Sequence, residues 1–458
     1  IAASAMVLSG CASLSPDGGI GVVRQNTQTQ LGKELLLARG DTDLDTIARR
    51  VDELLNSPLD AESVVQMALL NNRGLQAGLQ ELGIAEAERV QASRLPNPGF
   101  SFSRLQRGSE REIGRSFTID LLHLMTLPLT DPMEQRRLAA VQRSVSIDVL
   151  ALATEARKAF YAAVAAEQTL RYQVEVKAAA DAGAELARRM AQAGNWTRLQ
   201  QAREHAFYAE ATLNLAHAQQ AQVASRERLI RLMGLWGTQT GFTLPQRLPD
   251  LPAEPADRPD IEQVAMAQRL DVQGAKLQAE ANAKNLGLSK VTRLLNVLEL
   301  GWQNNSSNEA ARQTGYEISV EIPLFDWSGA RVARAEAIYL QSVHRVAEIA
   351  INARSEVREA YLGYRSAYDI ACHYRDEIVP TAKRISDENL LRYNGMLIGV
   401  FELLADARSQ IGAVNASILA LRDFWTAEAD LQMALIGRPS LSVPAGASVT
   451  RSASGPAH

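Results

Sequence analysis

Side chains able to do chemistry are scarce in this chain of 458 residues, which carries six histidines and two cysteines. Cys372 and His373 are adjacent, but neighbours on a helix point about 100° apart. A structural cysteine beside a polar histidine is the expectation there. His205 and His217 share a helical stretch but lie about three turns apart, too far to chelate one ion. No G-x-x-x-x-G-K-[ST], H-E-x-x-H or G-x-S-x-G occurs, so the usual phosphate, zinc and serine-hydrolase constellations are missing. Gly18-Gly19-Ile20-Gly21 lacks the strand–helix setting of a nucleotide fingerprint and is expected to be a flexible tether. The pattern predicts no enzyme, no catalytic residue, no cofactor and no metal site. What remains is a set of carboxylates, Asp120, Glu299, Glu317 and Glu321, each next to apolar residues at every second position. Such spacing gathers acids on one side of an extended segment.

The elements that position them alternate between two periods. Tyr316, Ile318, Val320 and Ile322 alternate with Glu317, Ser319 and Glu321, and Leu298, Leu300 and Trp302 with Glu299, Gly301 and Gln303. Earlier, Phe100 and Phe102 alternate with serines, and Ile113, Phe117, Ile119 and Leu121 with Gly114, Ser116, Thr118 and Asp120. Between these stretches proline is absent from Met133 to Leu244, from Leu324 to Val379 and from Thr381 to Arg438. Those segments are rich in helix formers. Leu138, Val141, Val145, Val149, Leu152, Ala156, Ala159 and Ala163 step by three or four, as in an amphipathic helix near coiled-coil spacing. A helix from Met133 to Ala191 is roughly 90 Å long, which calls for elongated hairpins. Ala193-Gly194-Asn195-Trp196 and Tyr393-Asn394-Gly395 supply the Gly and Asn expected where a helix ends. Further helices are expected over about Ala61–Arg94 and Ile261–Thr292.

The chain can be laid on itself. Asn72-Arg73-Gly74-Leu75-Gln76 matches Arg269-Leu270-Asp271-Val272-Gln273, Arg94-Leu95-Pro96-Asn97 matches Arg293-Leu294-Leu295-Asn296, and Leu127-Pro128-Leu129 matches Ile322-Pro323-Leu324. The two turns correspond, as do Leu232-Met233-Gly234 and Leu435-Ile436-Gly437. This is a tandem duplication. The first repeat is placed at 61–236, with its strand pair at 98–124 and turn at 193–196. The second is placed at 261–437, with its strand pair at 296–323 and turn at 393–396. A proline-rich linker occupies 237–260, a tether or equatorial segment 11–60 and a flexible tail 438–458.

No run of about 18 apolar residues is present, so no membrane-spanning helix is expected, although β-barrel spans escape that test. The net charge of −4 gives no basic field, so nucleic acid is not an expected partner. Residues 1–10 are small and apolar and lead into Cys11, as in the surviving tail of a secretory signal. Leu8-Ser9-Gly10-Cys11 resembles the bacterial lipoprotein signal, which implies acylation of Cys11, with Ala12 suited to outer-membrane release. If the alternating stretches span a membrane, one chain offers only four strands, whereas closed barrels have about eight or more. Several chains must then share one barrel.

In this order of elements the sequence resembles the outer-membrane efflux channel family, the TolC-like outer membrane factors, from about Leu59 to Gly437. The motifs that carry the resemblance are Ile322-Pro323-Leu324-Phe325-Asp326-Trp327-Ser328-Gly329, then Tyr393-Asn394-Gly395 with Phe401-Glu402-Leu403-Leu404-Ala405-Asp406-Ala407-Arg408, then Asn71-Asn72-Arg73-Gly74-Leu75 and Arg94-Leu95-Pro96-Asn97. The first copy departs from it: Thr126-Leu127-Pro128-Leu129-Thr130-Asp131-Pro132 has no Phe-Asp-x-x-Gly.

The resemblance implies a mostly helical protein with membrane strands: a homotrimer joining a twelve-stranded β-barrel to a twelve-helix α-barrel. It implies a lipid-anchored protein in the outer membrane, its helices in the periplasm, working with a periplasmic adaptor and an inner-membrane pump as a passive exit duct. The second reading is a lipid-anchored periplasmic adaptor, which would instead have one central hairpin flanked by β-domains. Under the first, Tyr316, Ile318, Val320 and Ile322 face lipid. Asp120, Glu299, Glu317 and Glu321 face the pore, either as a cation-favouring ring or simply as polar residues on a wet wall. Arg392, Tyr393, Glu402 and Asp406 are candidates for the periplasmic gate, or an ordinary solvated helix end. Gly194, Asn195, Asn394 and Gly395 are candidates for adaptor docking as well as helix terminators.

Overall fold

The computed structural model describes residues 13–295, 297–321, 323 and 325–439, with the backbone alone at Phe401. Residues 1–12, which include Cys11 and Ala12, together with Asn296, Ile322, Leu324 and the tail from 440, lie outside the described residues. In order, the elements are α1 (Gly21–Leu31), α2 (Asp41–Leu55), α3 (Ala61–Asn71), α4 (Arg73–Ala92), β1 (Gly99–Arg107), β2 (Glu110–Asp120), α5 (Leu121–Gln192) and α6 (Arg198–Met233). The second half follows with α7 (Ile261–Gln268), α8 (Leu270–Val291), β3 (Leu298–Ser307), β4 (Gln313–Val320), α9 (Gly329–His373), a π turn (Tyr374–Ile378), α10 (Val379–Asn394) and α11 (Val400–Ile436). The protein is mostly α with one small antiparallel sheet, as the sequence predicts.

Two compact units divide the chain. The first takes in residues up to Leu37, Gly74–Asp148 and Arg269–Ala353, and holds the sheet. Its strands run in sequence order, β1-β2-β3-β4, so the second hairpin pairs directly with the first through β2 and β3. The register sets one row across all four strands: Phe100, Phe117, Trp302 and Tyr316. Ring centroids are 4.9 Å apart for Phe100–Phe117 and 6.2 Å for Phe117–Trp302. Ile119, Leu300 and Ile318 form the next row on that face, and Leu298 and Val320 the one after. Side chains alternate between faces, so the other face carries Ser101, Ser116 and Gln303, then Thr118, Gly301 and Glu317, then Asp120, Glu299 and Ser319. Away from the sheet, Ile20, Val23, Leu35, Leu79 and Leu82 are fully buried. The tether is held by Ser15, whose N and Oγ both donate to the buried Glu86 carboxylate at 3.0 and 2.9 Å.

The second unit takes in Ala38–Arg73, Val149–Gln268 and the chain from Arg354. Phe424 is its fully buried centre, with the rings of Tyr364 and Tyr368 at 5.6 and 5.7 Å and Trp425 at 5.1 Å. Those polar aromatics pin the linker. Tyr368 Oη donates to Ala253 O at 2.8 Å, Trp425 Nε1 donates to Pro249 O at 3.0 Å, and Ala256 N donates to Tyr364 Oη at 2.9 Å. A proline-rich segment has few N–H donors for a ladder, and side chains partner several of its backbone groups instead.

The helices differ from the sequence expectation in three ways. The helix expected over Ala61–Arg94 breaks at Asn72, and that over Ile261–Thr292 breaks at Arg269. The last carbonyls of α6 need donors, and Asn71 and Asn72 supply them: Asn71 Nδ2 to Gly234 O at 2.7 Å and Asn72 Nδ2 to Leu232 O at 2.9 Å. At the second break the buried Arg269 donates to both carboxylate oxygens of Asp271, at 3.0 and 2.6 Å. Second, α5 begins at Leu121 rather than Met133 and takes Pro128 and Pro132 inside it, so no strand reaches 124. Asp120 Oδ1 accepts from His123 N at 2.9 Å and starts the first turn. The prolines are four residues apart and therefore on one side of the helix. The bonds they remove fall in one line while the other side continues. Third, a π turn precedes Pro380, with Val379 N donating five residues back to Tyr374 O. The helix thus passes a residue that has no N–H.

Gly234 and Gly194 both hold left-handed φ, at 67° and 77°. They differ in surroundings: a Cβ on Gly234 would stand 2.6 Å from Asn71 O, whereas one on Gly194 would meet nothing within 4 Å. Gly194→Ala is expected to cost about 1–2 kcal/mol for the conformation alone. Gly234→Ala carries the clash in addition and is expected to cost about 3 kcal/mol or more. Denaturant unfolding of the two variants side by side checks this, and equal losses would refute the role given to the Asn71 contact.

Candidate functional site

Three of the four candidate carboxylates are strand residues, and the register brings them onto one face near the helix end of the sheet. Asp120 lies opposite Glu299, which lies opposite Ser319. Glu317 is in the adjoining row, opposite Gly301, and Gln303 Nε2 donates to its carboxylate. Glu321 follows the end of β4, where its N–H donates to Val297 O at 3.3 Å and extends the pairing on the same side. Like charges directly opposite each other are destabilising in a sheet, so folding alone does not account for Asp120 facing Glu299. Asp120 has a second task as the cap of α5.

The junctions into the long helices are built differently in the two copies. The first uses Asp120 as described. In the second, Ser328 N donates to Asp326 Oδ1 at 2.8 Å, and Ser328 is buried with a left-handed φ of 55°. The turn is tied to α8, with Arg331 Nη2 donating to Thr292 O at 2.8 Å. It leaves Phe325 99% and Trp327 58% exposed. The Asp-x-Ser of the sequence motif is thus a turn former, and its aromatics project outward.

At the first hairpin tip, Gly194 N donates to Ala191 O at 3.1 Å and Asn195 N to Met190 O at 2.9 Å. Thr197 and Gln200 then form a reciprocal capping box for α6, which satisfies two orphan donors. At the second tip the helix ends at Asn394 with Gly395 as its cap, inside the expected turn. Gly395 has an ordinary φ of −81°, and the left-handed residue is Met396, at 56°. Leu397 N reaches back to Arg392 O at 2.8 Å, and this closure places the reversal one residue later than Gly395. Met396 and Leu397 are left exposed.

The gate candidates lie on the two helices of the second hairpin, but no contact between two of them is seen among the described residues. Asn389 Nδ2 donates to Asp406 across the second hairpin. Arg392 pairs with Glu388 of its own helix at 3.4 Å, an exposed contact of little energetic weight. Tyr393 is 37% exposed and Glu402 is exposed.

An ion pair with a buried carboxylate, close in distance though not aligned as a hydrogen bond, lies nearby and was not among the sequence candidates. Arg408 of α11 lies 2.6 Å from the carboxylate of Glu204 on α6, which is only 1% exposed. The Arg408 guanidinium also stands 4.4 Å from the Phe207 ring centroid, within cation–π range. Phe207 and Ile411 pack on a small core of Val176, Ala180 and Ala211, so the pair ties the two hairpins together beside apolar contacts. The signal was present in the repeat. The helices after the turns begin at Arg198 and Val400, and at that offset Glu204 corresponds to Asp406. Both carboxylates fix a helix near a tip, with different partners. Farther along, burial raises the Asp430 carboxyl, an effect that the Lys158 ammonium at 2.9 Å opposes.

Among the described residues no three His, Cys, Asp or Glu side chains are grouped to hold a metal, and no helix is long and apolar enough to cross a membrane. Cys372 receives a hydrogen bond from Arg375 at 3.7 Å, and His373 Nδ1 lies 3.3 Å from Glu377.

No family model matches the sequence, and no curated protein matches it. Solved structures do match in fold. The Campylobacter jejuni CmeC outer membrane channel superposes with a TM-score of 0.70 at 15% identity, covering 88% of this chain and 89% of its own. The open state of the Neisseria gonorrhoeae MtrE outer membrane channel gives 0.68 at 18% identity over 83% and 91%. The outer membrane protein VceC of Vibrio cholerae gives 0.67 at 15% over 86% and 97%. The chain has the fold of outer-membrane channels of this type, as the resemblance in its sequence implies.

Removing one partner of a buried ion pair strands the other charge. Arg408→Met is therefore expected to lower stability by roughly 3 kcal/mol, and Glu204→Gln in the same chain to recover most of it. A double-mutant cycle in denaturant measures the coupling. Strictly additive losses would show that the contact contributes nothing.

Proposed function

We propose that the chain is one protomer of an outer-membrane exit duct, in which three copies join their sheets into a twelve-stranded barrel continued by a tunnel of long helices. The observation that carries this reading is the sheet itself. β1 and β4 each have one edge with no partner strand among the described residues, and one face is apolar and exposed while the other is polar. A sheet with an apolar face toward lipid and open edges is stable in a bilayer only when closed. Four strands are too few to close alone.

In that assembly the acid-bearing face lines the lumen, and threefold symmetry presents Asp120, Glu299, Glu317 and Glu321 three times each. Cargo passes through without reaction, driven by a pump in the inner membrane. The hairpin tips, Gly194-Asn195 and Asn394-Gly395 with the exposed Met396 and Leu397, meet the adaptor. Arg392, Tyr393, Glu402 and Asp406 hold the tip end closed, and an acylated Cys11 anchors the tether. The fold of CmeC, MtrE and VceC supports this reading.

The test is the mass of the particle extracted from the outer membrane in mild detergent. About 150 kDa of protein is expected, three times 49.9 kDa. A monomer that leaves the membrane without detergent once any lipid anchor is cleaved would sink the duct and favour a tethered adaptor. Single-channel recording in a salt gradient examines the lining. Glu299→Gln with Glu317→Gln is expected to shift the reversal potential toward lower cation preference. In the same bilayers, Arg392→Ala with Tyr393→Ala is expected to raise conductance. Unchanged traces would reject both assignments.

A further inference from the structure

Charge is sorted between the two faces of the sheet. The strand acids Glu110, Glu112, Asp120, Glu299 and Glu317 all fall on the polar face, as the register requires. Arg107 is on that face too, opposite Glu110. The other face holds no acid in any strand, yet its loop end carries Arg115 opposite Phe102, Arg104 opposite Ile113, and Arg111 opposite Gln106. Arg312, just before β4, donates to Asn304 at 3.1 Å, and Asn304 is the cross-strand partner of Arg115. No carboxylate lies within ion-pair distance of Arg104, Arg111 or Arg115 among the described residues. Arg104 and Arg111 are exposed.

Height along the sheet gives these cations a meaning. From the Leu298–Val320 row through the aromatic row to Phe102, the apolar face spans three two-residue steps, roughly 20 Å. That approaches the apolar band of about 25 Å in membrane barrels. The arginines begin where the band ends, next to a row of Phe, Trp and Tyr that marks a membrane interface. Guanidinium groups there are at the level of lipid phosphates, with which they form bidentate, charge-assisted bonds.

We propose that Arg104, Arg111, Arg115 and Arg312 form a strip on the outward face that binds the phosphates of lipid head groups at the loop end of the barrel. The inference rests on the barrel reading above. Its occupant is a phosphorylated lipid of the leaflet around the loops, recognised by unopposed cations directly above an apolar band that holds its acyl chains.

The test uses the full chain in mild detergent, mixed with lipid A and phosphatidylcholine, with bound lipid counted by native mass spectrometry. Wild type is expected to retain lipid A in preference to phosphatidylcholine. The triple variant R104Q/R111Q/R115Q is expected to retain about tenfold less, the triple lysine variant to keep much of the binding, and R107Q, on the other face, to bind as wild type. Lipid A retained equally by wild type and the glutamine triple overturns the strip. Should that triple fail to insert into phosphatidylcholine vesicles, R104Q alone gives a smaller loss, and no loss overturns the strip equally. Wild type that inserts into no vesicle removes the barrel, and the strip with it, which distinguishes that failure from a loss of head-group binding alone.

Discussion

Backbone hydrogen bonding at the two edges of one four-stranded sheet is the constraint on which the rest of the structure depends. Every main-chain N–H and C=O needs a partner or water, and an apolar outer face removes water as the partner in a bilayer. Within the chain, duplication meets most of this need. Each copy contributes a hairpin, and β2 of the first pairs with β3 of the second over nine residue pairs, Glu112–Ser307 to Asp120–Glu299. Among the described residues, what the duplication leaves over is one edge on β1 and one on β4. Under the proposed function those two edges find each other in neighbouring copies, and the number of strands per chain sets the number of copies.

The helices inherit their placement from those strands. Because the copies sit side by side in one sheet, each must send its long helix off from a strand end, and the two do so with different chemistry. Asp120 turns β2 into α5 with no intervening residue, combining strand end, helix cap and polar-face charge. The second copy uses the Asp326–Ser328 turn, whose left-handed Ser328 is held by burial and by the Arg331 tie to α8. Such a conformation is sparsely populated outside glycine and persists only where surroundings enforce it. At the other end of the first copy the outgoing helix is terminated by side chains of the incoming one, Asn71 and Asn72. That copy closes on itself through hydrogen bonds as well as apolar packing.

Much of this was legible in the chain because each signal is local and periodic. Alternation at Tyr316, Ile318 and Val320 and helical spacing from Leu138 to Ala163 need no knowledge of partners. The duplication turned weak motifs into an ordered pair. The features that were missed depend on contacts distant in sequence. The breaks at Asn72 and Arg269 exist because of carbonyls some 160 residues away or a two-residue carboxylate clamp. Pro128 and Pro132 look like helix breakers until Asp120 is seen to begin the helix before them. Within the expected turn, the left-handed residue is Met396 rather than the glycine beside it, a detail fixed by Leu397 reaching back to Arg392 O. Glu204 and Arg408 are 204 positions apart, and only their burial beside Phe207 distinguishes them from the many surface ion pairs of the same helices.

The distribution of charge on the sheet connects these levels. Fold stability asks only that one face be apolar and the other polar, and serines and glutamines would satisfy the polar face without placing Asp120 opposite Glu299. It asks even less for arginines on the apolar side, since a lipid-facing cation is unfavourable except near an interface. All the strand acids lie on one face, and apart from Arg107, which faces Glu110, the strand arginines lie at the loop end of the other, so most of these charges do not neutralise one another within the sheet. Under the proposed function each meets a partner outside the chain: cations in an aqueous lumen on one side, phosphates of a surrounding leaflet on the other. A soluble sheet would gain from pairing these charges across its rows. Their separation is consistent with a wall that has water on one side and lipid on the other.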